Sequence, residues 1–233
     1  MKIRNCVAFV TGANRGLGLA LVHELIALGA KTVYAGMREA RNLGLAEVVP
    51  IRIDVTDPGS LKAAVAQCKD TSLLINNAGI ARLMGSPVEE GAIEMSREIM
   101  ETNYYGVIRA SQAFVPVIQA NGGGAIINVL SDAAWVSRPV LAAYSATKAA
   151  AWSFTNALRI DLRGKNIQVL GLHVGFMDTD MTNGFEMEKV HPRAVAELTL
   201  AALEAEKDEI LADEGTRAIK ESLSRECPLY LNP

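Results

Sequence analysis

The chain opens with the stretch Val7-Ala8-Phe9-Val10-Thr11-Gly12-Ala13-Asn14-Arg15-Gly16-Leu17-Gly18, which leads directly into the apolar-periodic segment 19–28. An apolar strand therefore runs into three glycines spaced G-x-x-x-G-x-G, and the glycines run into a helix. A turn of this kind brings bare backbone N–H groups and the positive end of the helix dipole close to a pyrophosphate. Because any join between strand and helix can use glycine for a positive φ, the pattern gains its weight from the motifs that follow it.

The composition bounds the class of protein. Half of the 233 residues are apolar, which is enough for a single large core. A net charge of −3 argues against nucleic acid or an anionic membrane surface as a partner, and no apolar run approaches the roughly 18 residues of a membrane span. Cys6, Cys68 and Cys227 are far apart and in no metal-ligand spacing, which favours reduced thiols in a cytoplasmic protein without a bound metal.

Apolar strands and periodic helical segments alternate from one end of the chain to the other. This alternation predicts an α/β fold, with a doubly wound, Rossmann-like parallel sheet of about seven strands and helices on both faces, as one domain over residues 1–233. A continuous apolar run such as Leu73-Leu74-Ile75 suits a strand that is buried on both faces. The predicted strands are 4–10, 31–36, 49–53, 72–75, 124–130, 167–172 and 208–211, and the predicted helices are 16–28, 59–68, 91–119, 143–163, 192–206 and 215–224.

Three polar residues at and after the end of the fifth strand have the spacing of a proton-transfer site. Tyr144 and Lys148 stand four residues apart, so a helix places both side chains on one face. Ser131 ends the strand at the sheet edge where such folds bind ligands. An ammonium group close to a phenol lowers its pKa from the usual value of about 10. Tyr144 could then give or take a proton while the Ser131 hydroxyl bonds the substrate oxygen.

Further motifs follow one another in order: Thr11-Gly12-Ala13-Asn14-Arg15-Gly16-Leu17-Gly18, Asp54-Val55, Asn76-Asn77-Ala78-Gly79, Asn103, Ser131, Tyr144-x-x-x-Lys148 and Gly175 to Thr179. In this order and spacing they resemble the short-chain dehydrogenase/reductase family over essentially the whole chain. The resemblance implies a dinucleotide-binding and catalytic domain in which Ser131, Tyr144 and Lys148 form a catalytic triad. It also implies that Asn103, in the middle of the long helix, contributes a water-mediated proton relay.

The same resemblance distributes the cofactor contacts over the loops that follow the strands. Gly12, Gly16 and Gly18 would line the diphosphate, Asp54 would contact adenine, and Lys148 would hold the nicotinamide ribose. The remaining implied contacts are Asn14, Arg15, Leu17, Arg38, Val55, Asn77, Ala78, Gly79, Tyr144, Gly175 and Thr179.

The end of the second strand indicates which cofactor is used. A site for NAD usually ends this strand with an acidic residue that binds the ribose 2′-OH. Here Met37 holds that position, Arg38 follows it, and Arg15 lies in the glycine loop. Two guanidinium groups suit a 2′-phosphate, and no carboxylate stands at the strand end to repel it. The sequence therefore predicts NADP(H).

The segment after the sixth strand departs from the family pattern. Val174 replaces the usual proline before Gly175, which leaves a backbone N–H in need of a partner. Thr179 still matches and would hold the nicotinamide carboxamide. His173 is near enough to be a candidate substrate contact, and Trp135 is a candidate wall of the substrate pocket. Four large apolar residues cluster after the sixth strand: Met177, Met181, Phe185 and Met187. They either pack within the segment or form an adaptable apolar cover over the substrate.

Together these features predict an NADP-dependent oxidoreductase that interconverts a ketone or aldehyde and an alcohol, with Tyr144 as general acid and base. Two alternatives stay open: an NADP-dependent epimerase or dehydratase with the same tyrosine–lysine chemistry, and a non-catalytic dinucleotide-sensing protein. The expected partners are a small-molecule carbonyl or alcohol substrate and further copies of the chain. Small and apolar residues on helix 143–162 permit close packing across a two-fold axis, and the resemblance points to a homodimer or homotetramer.

Overall fold

A computed structural model describes residues 1–231, which form one twisted sheet between two layers of helices. The strands are β1 (Val7–Thr11), β2 (Thr32–Met37), β3 (Val48–Arg52), β4 (Leu73–Asn76), β5 (Gly124–Val129), β6 (Ile167–His173) and β7 (Glu209–Leu211). The helices are α1 (Gly16–Ala27), α2 (Pro58–Gln67), α3 (Ala92–Met100), α4 (Gly106–Ala120), α5 (Ala142–Leu162), α6 (Pro192–Glu204) and α7 (Glu214–Ser222).

The sheet is parallel throughout and has the strand order β3-β2-β1-β4-β5-β6-β7. The predicted α/β fold with seven parallel strands is therefore confirmed. The order reverses between β1 and β4, and in sheets of this kind ligands bind in the crevice at such a reversal, beyond the carboxyl ends of the strands. The loops that carry the predicted motifs all leave the sheet at that edge.

Alternation along the central strands divides the core into two parts. Ala8 and Val10 face one side of the sheet, where they pack with residues of α1 and α6, whereas Phe9 faces the other side. On that second side Phe114 of α4 packs against Phe9, with ring centroids 4.5 Å apart, and α2 and α5 complete the layer. Both faces of the sheet are thus covered, which explains the continuous apolar runs in its strands.

The long helix predicted over 91–119 is interrupted. A π-helical turn, Glu101–Tyr105, separates α3 from α4, and the Gly106 N–H bonds to the Glu101 carbonyl five residues back. Asn103, at the centre of this turn, is buried and bonds with its side chain to both backbone groups of Ile80. Periodicity of apolar residues does not register one extra residue in a turn, so the sequence predicted a single helix. Such turns occur frequently at functional sites.

A chain of buried amides crosses the sheet just below its carboxyl edge. Asn128 of β5 accepts a hydrogen bond from Asn76 of β4 at 2.8 Å and donates one to Thr155 of α5 at 2.9 Å. Because a buried amide costs free energy unless it is bonded, this pairing fixes the register of strand and helix.

Among the described residues, no helix combines the length and apolar character needed to cross a membrane.

Candidate active site

The predicted functional residues surround one cleft of about 1530 Å³ at the carboxyl edge of the sheet. Every predicted cofactor contact lines it, and so do Ser131, Tyr144 and Lys148. Asn103 is the exception, because it is buried behind the cleft wall. The cleft residues named in the sequence analysis are Gly12, Asn14, Arg15, Gly16, Leu17, Gly18, Arg38, Asp54, Val55, Asn77, Ala78, Gly79, Ser131, Tyr144, Lys148, Gly175 and Thr179.

The glycine turn is built for close backbone approach. Gly12 and Gly16 have φ values of +67° and +54°, which favour glycine. A β-carbon at Gly18 would lie 2.2 Å from the Gly12 carbonyl oxygen, so no side chain fits there. No side chain caps the start of α1, which leaves its first N–H groups directed at the cleft. A phosphate fits this arrangement of free donors and dipole.

Asn77 braces the glycine turn from the neighbouring strand. Its Nδ2 donates to the Thr11 carbonyl at 2.8 Å and to the Gly12 carbonyl at 3.1 Å. The Thr11 hydroxyl in turn accepts hydrogen bonds from the backbone N–H groups of Asn77 and Ala78, both at 3.0 Å. The loops after β1 and β4 are therefore locked together, and Asn77 acts on the cleft through the backbone that it holds.

Several arginines line the cleft, after β2 and at the glycine turn. Met37 is buried at the end of the strand, and Arg38 projects into the cleft with Glu39 after it. Arg15 pairs with Asp180 at 2.7 Å. Arg41, which the sequence analysis did not single out, donates to the Asn14 carbonyl of the glycine turn at 2.8 Å. No motif marks Arg41, since it lies in an irregular loop whose course depends on the fold.

Asp54 also lines the cleft, and its hydrogen bonds favour the ionised carboxylate. Its Oδ1 accepts hydrogen bonds from the backbone N–H and the hydroxyl of Thr56, at 2.9 and 2.7 Å. These bonds, together with the nearby charge of Arg38, keep the pKa of Asp54 below its usual value.

Tyr144 and Lys148 share one face of α5, as the four-residue spacing predicted. The Lys148 ammonium lies 5.5 Å from the centroid of the Tyr144 ring and donates to the Val129 carbonyl at 2.8 Å. Burial raises the pKa of Tyr144, and the Ser131 hydroxyl lowers it by a smaller amount through hydrogen bonding. Burial also lowers the pKa of Lys148 from 10.5 to about 8. In this arrangement desolvation outweighs the expected effect of the ammonium, so Tyr144 stays protonated.

Ser131 is hydrogen-bonded to the carboxyl group of the next residue, Asp132, which no sequence motif marks. Its hydroxyl donates to Asp132 Oδ1 at 2.8 Å and accepts a hydrogen bond from the Ala133 N–H at 3.2 Å. Asp132 is itself buried, and this burial raises its pKa. A carboxylate directly after Ser131 gave no sequence signal, because nothing in its spacing distinguishes it from a surface aspartate.

His173 supports Ser131 from behind the cleft. The ring is fully buried, stacks on Trp135 with centroids 4.0 Å apart, and has Nδ1 3.1 Å from the Ser131 carbonyl. A carbonyl only accepts, so Nδ1 carries the hydrogen. Burial lowers the pKa of His173 to about 4, which keeps the ring neutral. His173 is fully buried and does not line the cleft, and Trp135 is half-buried and is also absent from the cleft lining, so neither is a candidate substrate contact in this structure.

The segment after β6 is held by two aspartates. Asp213 accepts a hydrogen bond from the Gly175 N–H at 2.8 Å, and the Asp132 N–H donates to the Val174 carbonyl at 3.3 Å. These bonds fix the segment without the proline of the family pattern. Of the four predicted cover residues, Met187 lies outside the cleft, whereas the lining includes Met177, Met181 and Phe185.

Comparison with known proteins gives one consistent result. The family model for short chain dehydrogenases matches residues 6–189. Galactitol 2-dehydrogenase (L-tagatose-forming) of Cereibacter sphaeroides is 35% identical over 192 residues, covering 78% of this chain and 75% of that protein. A short chain dehydrogenase of Burkholderia cenocepacia in complex with NADP is 40% identical, with a TM-score of 0.91 over 97% of this chain and 95% of that one. NADPH-bound carbonyl reductase from chicken fatty liver is 29% identical, with a TM-score of 0.80 over 88% and 93%.

Replacing Lys148 by methionine is expected to change how stability depends on pH. Above about pH 8 the folded chain releases the Lys148 proton, whereas the unfolded chain keeps it up to about pH 10.5. The free energy of unfolding of the wild type therefore gains a contribution as the pH rises through this window. Between pH 8 and pH 10, the free energy of unfolding of the wild type should rise on the order of 1–2 kcal/mol relative to that of Lys148→Met, as measured by urea denaturation. Lys62→Met, on the exposed side of α2, is the matched control. A difference in unfolding free energy between wild type and Lys148→Met that does not change with pH would contradict the expectation.

Proposed function

Because the chain belongs to the short-chain dehydrogenase/reductase family of oxidoreductases, we propose that it uses NADP(H) to interconvert a ketone or aldehyde and the corresponding alcohol. One observation carries this proposal: Ser131, Tyr144 and Lys148 line the same cleft as the uncapped start of α1 and its glycine turn. A group able to donate a proton and a turn suited to a phosphate thus line one cleft, which supports the proposal. The NADP and NADPH named for two similar structures support the choice of cofactor.

The residues of the cleft fit a phosphorylated dinucleotide. The glycine turn has no room for a side chain at Gly18 and presents free N–H groups, which suits a diphosphate. Arg38 and Arg41 stand beside the end of β2, where the 2′-phosphate would be held, and Asp54 would take the adenine. When bound, the nicotinamide supplies the hydride that the protein itself lacks.

Tyr144 is the proton donor in the direction of carbonyl reduction. Its raised pKa keeps the hydroxyl protonated at neutral pH, so that a proton is available as negative charge develops on the carbonyl oxygen. Lys148, which donates a hydrogen bond to the Val129 carbonyl, would hold the ribose of a bound cofactor and would stabilise the phenolate left after transfer. Ser131 orients the reacting oxygen, and Asn103 belongs to the relay that returns a proton to the site.

Tyr144→Phe is expected to abolish nearly all turnover while binding of NADPH is largely retained. The substitution deletes the transferable proton and keeps the ring, so kcat should fall by about 10²–10⁴-fold. Ser131→Ala should cost about 2.7–4 kcal/mol of transition-state stabilisation. The measurement is NADPH oxidation against a panel of ketones, with chiral analysis of the products. This panel also separates a reductase from an epimerase, a dehydratase or a sensing protein.

Tyr230→Phe is the matched control for this experiment. Tyr230 has an exposed side chain and lies outside the cleft, so its loss of a hydroxyl should leave kcat unchanged. Undiminished ketone reduction by Tyr144→Phe would overturn the proposed role of Tyr144.

A preference for NADPH over NADH of one to two orders of magnitude in kcat/KM is expected. Charge-assisted bonds from arginine to a phosphate contribute about 1.5–3 kcal/mol each before solvent exposure reduces them. Met37→Asp should turn the preference toward NADH, since a carboxylate at the end of β2 accepts from the free ribose hydroxyls and repels a phosphate. Arg38→Ala should raise the KM for NADPH far more than the KM for NADH. Arg193→Ala, an exposed arginine on α6, serves as control, and equal kcat/KM values in the wild type would refute the assignment.

Association of the chain with itself is expected through α4 and α5. Ile160 on α5 is 68% exposed and Tyr105 beside α4 is 46% exposed, which is apolar surface that a second copy would cover. Sedimentation velocity at micromolar concentration should show a dimer or tetramer, and Ile160→Glu should shift it toward a species near 24.9 kDa. Leu198→Glu makes the same change on the exposed face of α6 and should leave association intact. A wild type that sediments only as a monomer would contradict this interface.

A further inference from the structure

Arg138 stands between the two parts of the catalytic site. It follows Ser131 by seven residues and precedes Tyr144 by six, in the segment that leads into α5. Its side chain is 29% exposed and lines the same cleft as the hydroxyls of Ser131 and Tyr144. Its Nη1 lies 3.9 Å from the carboxylate that binds the Ser131 hydroxyl, so a positive charge lies close to the proposed position of the substrate carbonyl.

The Arg138 guanidinium makes no hydrogen bond to any residue within 1–231. The nearest carboxylate is Asp132, whose Oδ2 lies 3.9 Å from Nη1, beyond hydrogen-bond distance. The other oxygen of that carboxylate is taken by the Ser131 hydroxyl. Of the five other arginines that line the cleft, three are engaged: Arg15 by Asp180, Arg41 by the Asn14 carbonyl, and Arg82 by both oxygens of Glu98. Arg38 and Arg52 also make no side-chain hydrogen bond to a described residue, but Arg38 follows β2 and Arg52 ends β3, at the end of the cleft where the 2′-phosphate is expected. Arg138 thus keeps all five N–H donors available to a ligand.

An aromatic surface supports the free guanidinium. Its central carbon lies 5.3 Å from the centroid of the Phe176 ring, within the range of a cation–π contact, and Phe185 packs on Phe176 at 5.1 Å. Both rings line the cleft. The ring contact uses none of the N–H donors of the guanidinium, which therefore stay available for two parallel hydrogen bonds to a carboxylate.

We propose that Arg138 binds a carboxylate group of the substrate, so that the enzyme prefers oxo acids, or the matching hydroxy acids, with an apolar or aromatic body. The carboxylate pairs with the guanidinium edge, the apolar body lies against Phe176 and Phe185, and the carbonyl reaches Ser131 and Tyr144. This inference rests on the proposed oxidoreductase function and names its substrate class. The competing role for Arg138 is simple charge compensation of the buried Asp132 carboxylate.

A matched pair of substrates distinguishes the two roles. The probes are 4-oxo-4-phenylbutanoate and its methyl ester, which share the ketone and differ in one remote charge. For Arg138→Leu, the ratio of kcat/KM for the acid to that for the ester should fall at least tenfold, mainly through the KM of the acid, as expected for loss of a charge-assisted bond. Arg138→Lys should lower the acid-to-ester ratio less than Arg138→Leu does, because lysine keeps the positive charge but lacks the paired N–H donors of the guanidinium. Arg193→Leu, on the exposed face of α6, should leave it unchanged.

The outcomes separate this inference from the function on which it rests. Equal losses for acid and ester in Arg138→Leu would mean that Arg138 serves Asp132 and Ser131, and the substrate assignment would be overturned while the reductase stands. Absence of turnover with either probe and with the whole ketone panel would count against the proposed function. In that case titration of the NADPH complex with benzoate and benzamide still tests the site. The ratio of the Kd for benzamide to the Kd for benzoate should be at least tenfold larger for the wild type than for Arg138→Leu. Equal ratios for the two proteins would overturn the carboxylate site.

Discussion

The contact between the β1–α1 turn and the loop after β4 is the constraint on which the rest of the structure depends. A β-carbon at Gly12 would lie 3.0 Å from the α-carbon of Ala78, and one at Gly18 would collide with the Gly12 carbonyl. Asn77 closes the same contact by hydrogen bonding two carbonyls of the turn. Since β1 and β4 are the neighbours at which the strand order reverses, this tight join sets the floor of the crevice and the direction of the α1 dipole.

Burial affects the pKa values of the residues at this site more than pairwise charge does. Desolvation raises the pKa values of Tyr144 and Asp132 and lowers that of Lys148. All three shifts favour the neutral form of the group, as expected where water is excluded. Ser131 has a single hydroxyl hydrogen, which Asp132 receives in this structure, so in the proposed reaction Ser131 would donate to a substrate oxygen only after leaving Asp132. In that proposal Asp132 affects the orientation of the substrate through the hydroxyl of Ser131.

Local patterns in the sequence predicted the fold and most of the residues that line the cleft, because both follow from strand order and from the residues at strand ends. The glycine turn, the run Leu73-Leu74-Ile75 and the spacing of Tyr144 and Lys148 each have a direct geometric meaning. Features that depend on contacts between distant segments were missed. The π-helical turn arises where Asn103 reaches Ile80, and the roles of Asp132 and Arg41 depend on which side chains face them after folding. Proximity along the chain misled in the case of His173, since the end of a strand also borders the core.

The hydrogen bond from His173 to the Ser131 carbonyl has a consequence for the organisation of the whole chain. His173 stacks on Trp135, and the ammonium of Lys220 in α7 lies 5.4 Å from the centroid of the Trp135 ring while it pairs with Glu209 of β7. The family match ends at residue 189, so both Lys220 and Glu209 lie outside the segment that carries the recognisable motifs. The carboxyl end of β5 is thus supported by a part of the chain that lies outside the family match. Two proteins with identical motifs therefore differ in how rigidly the serine is held if their last strand and helix differ.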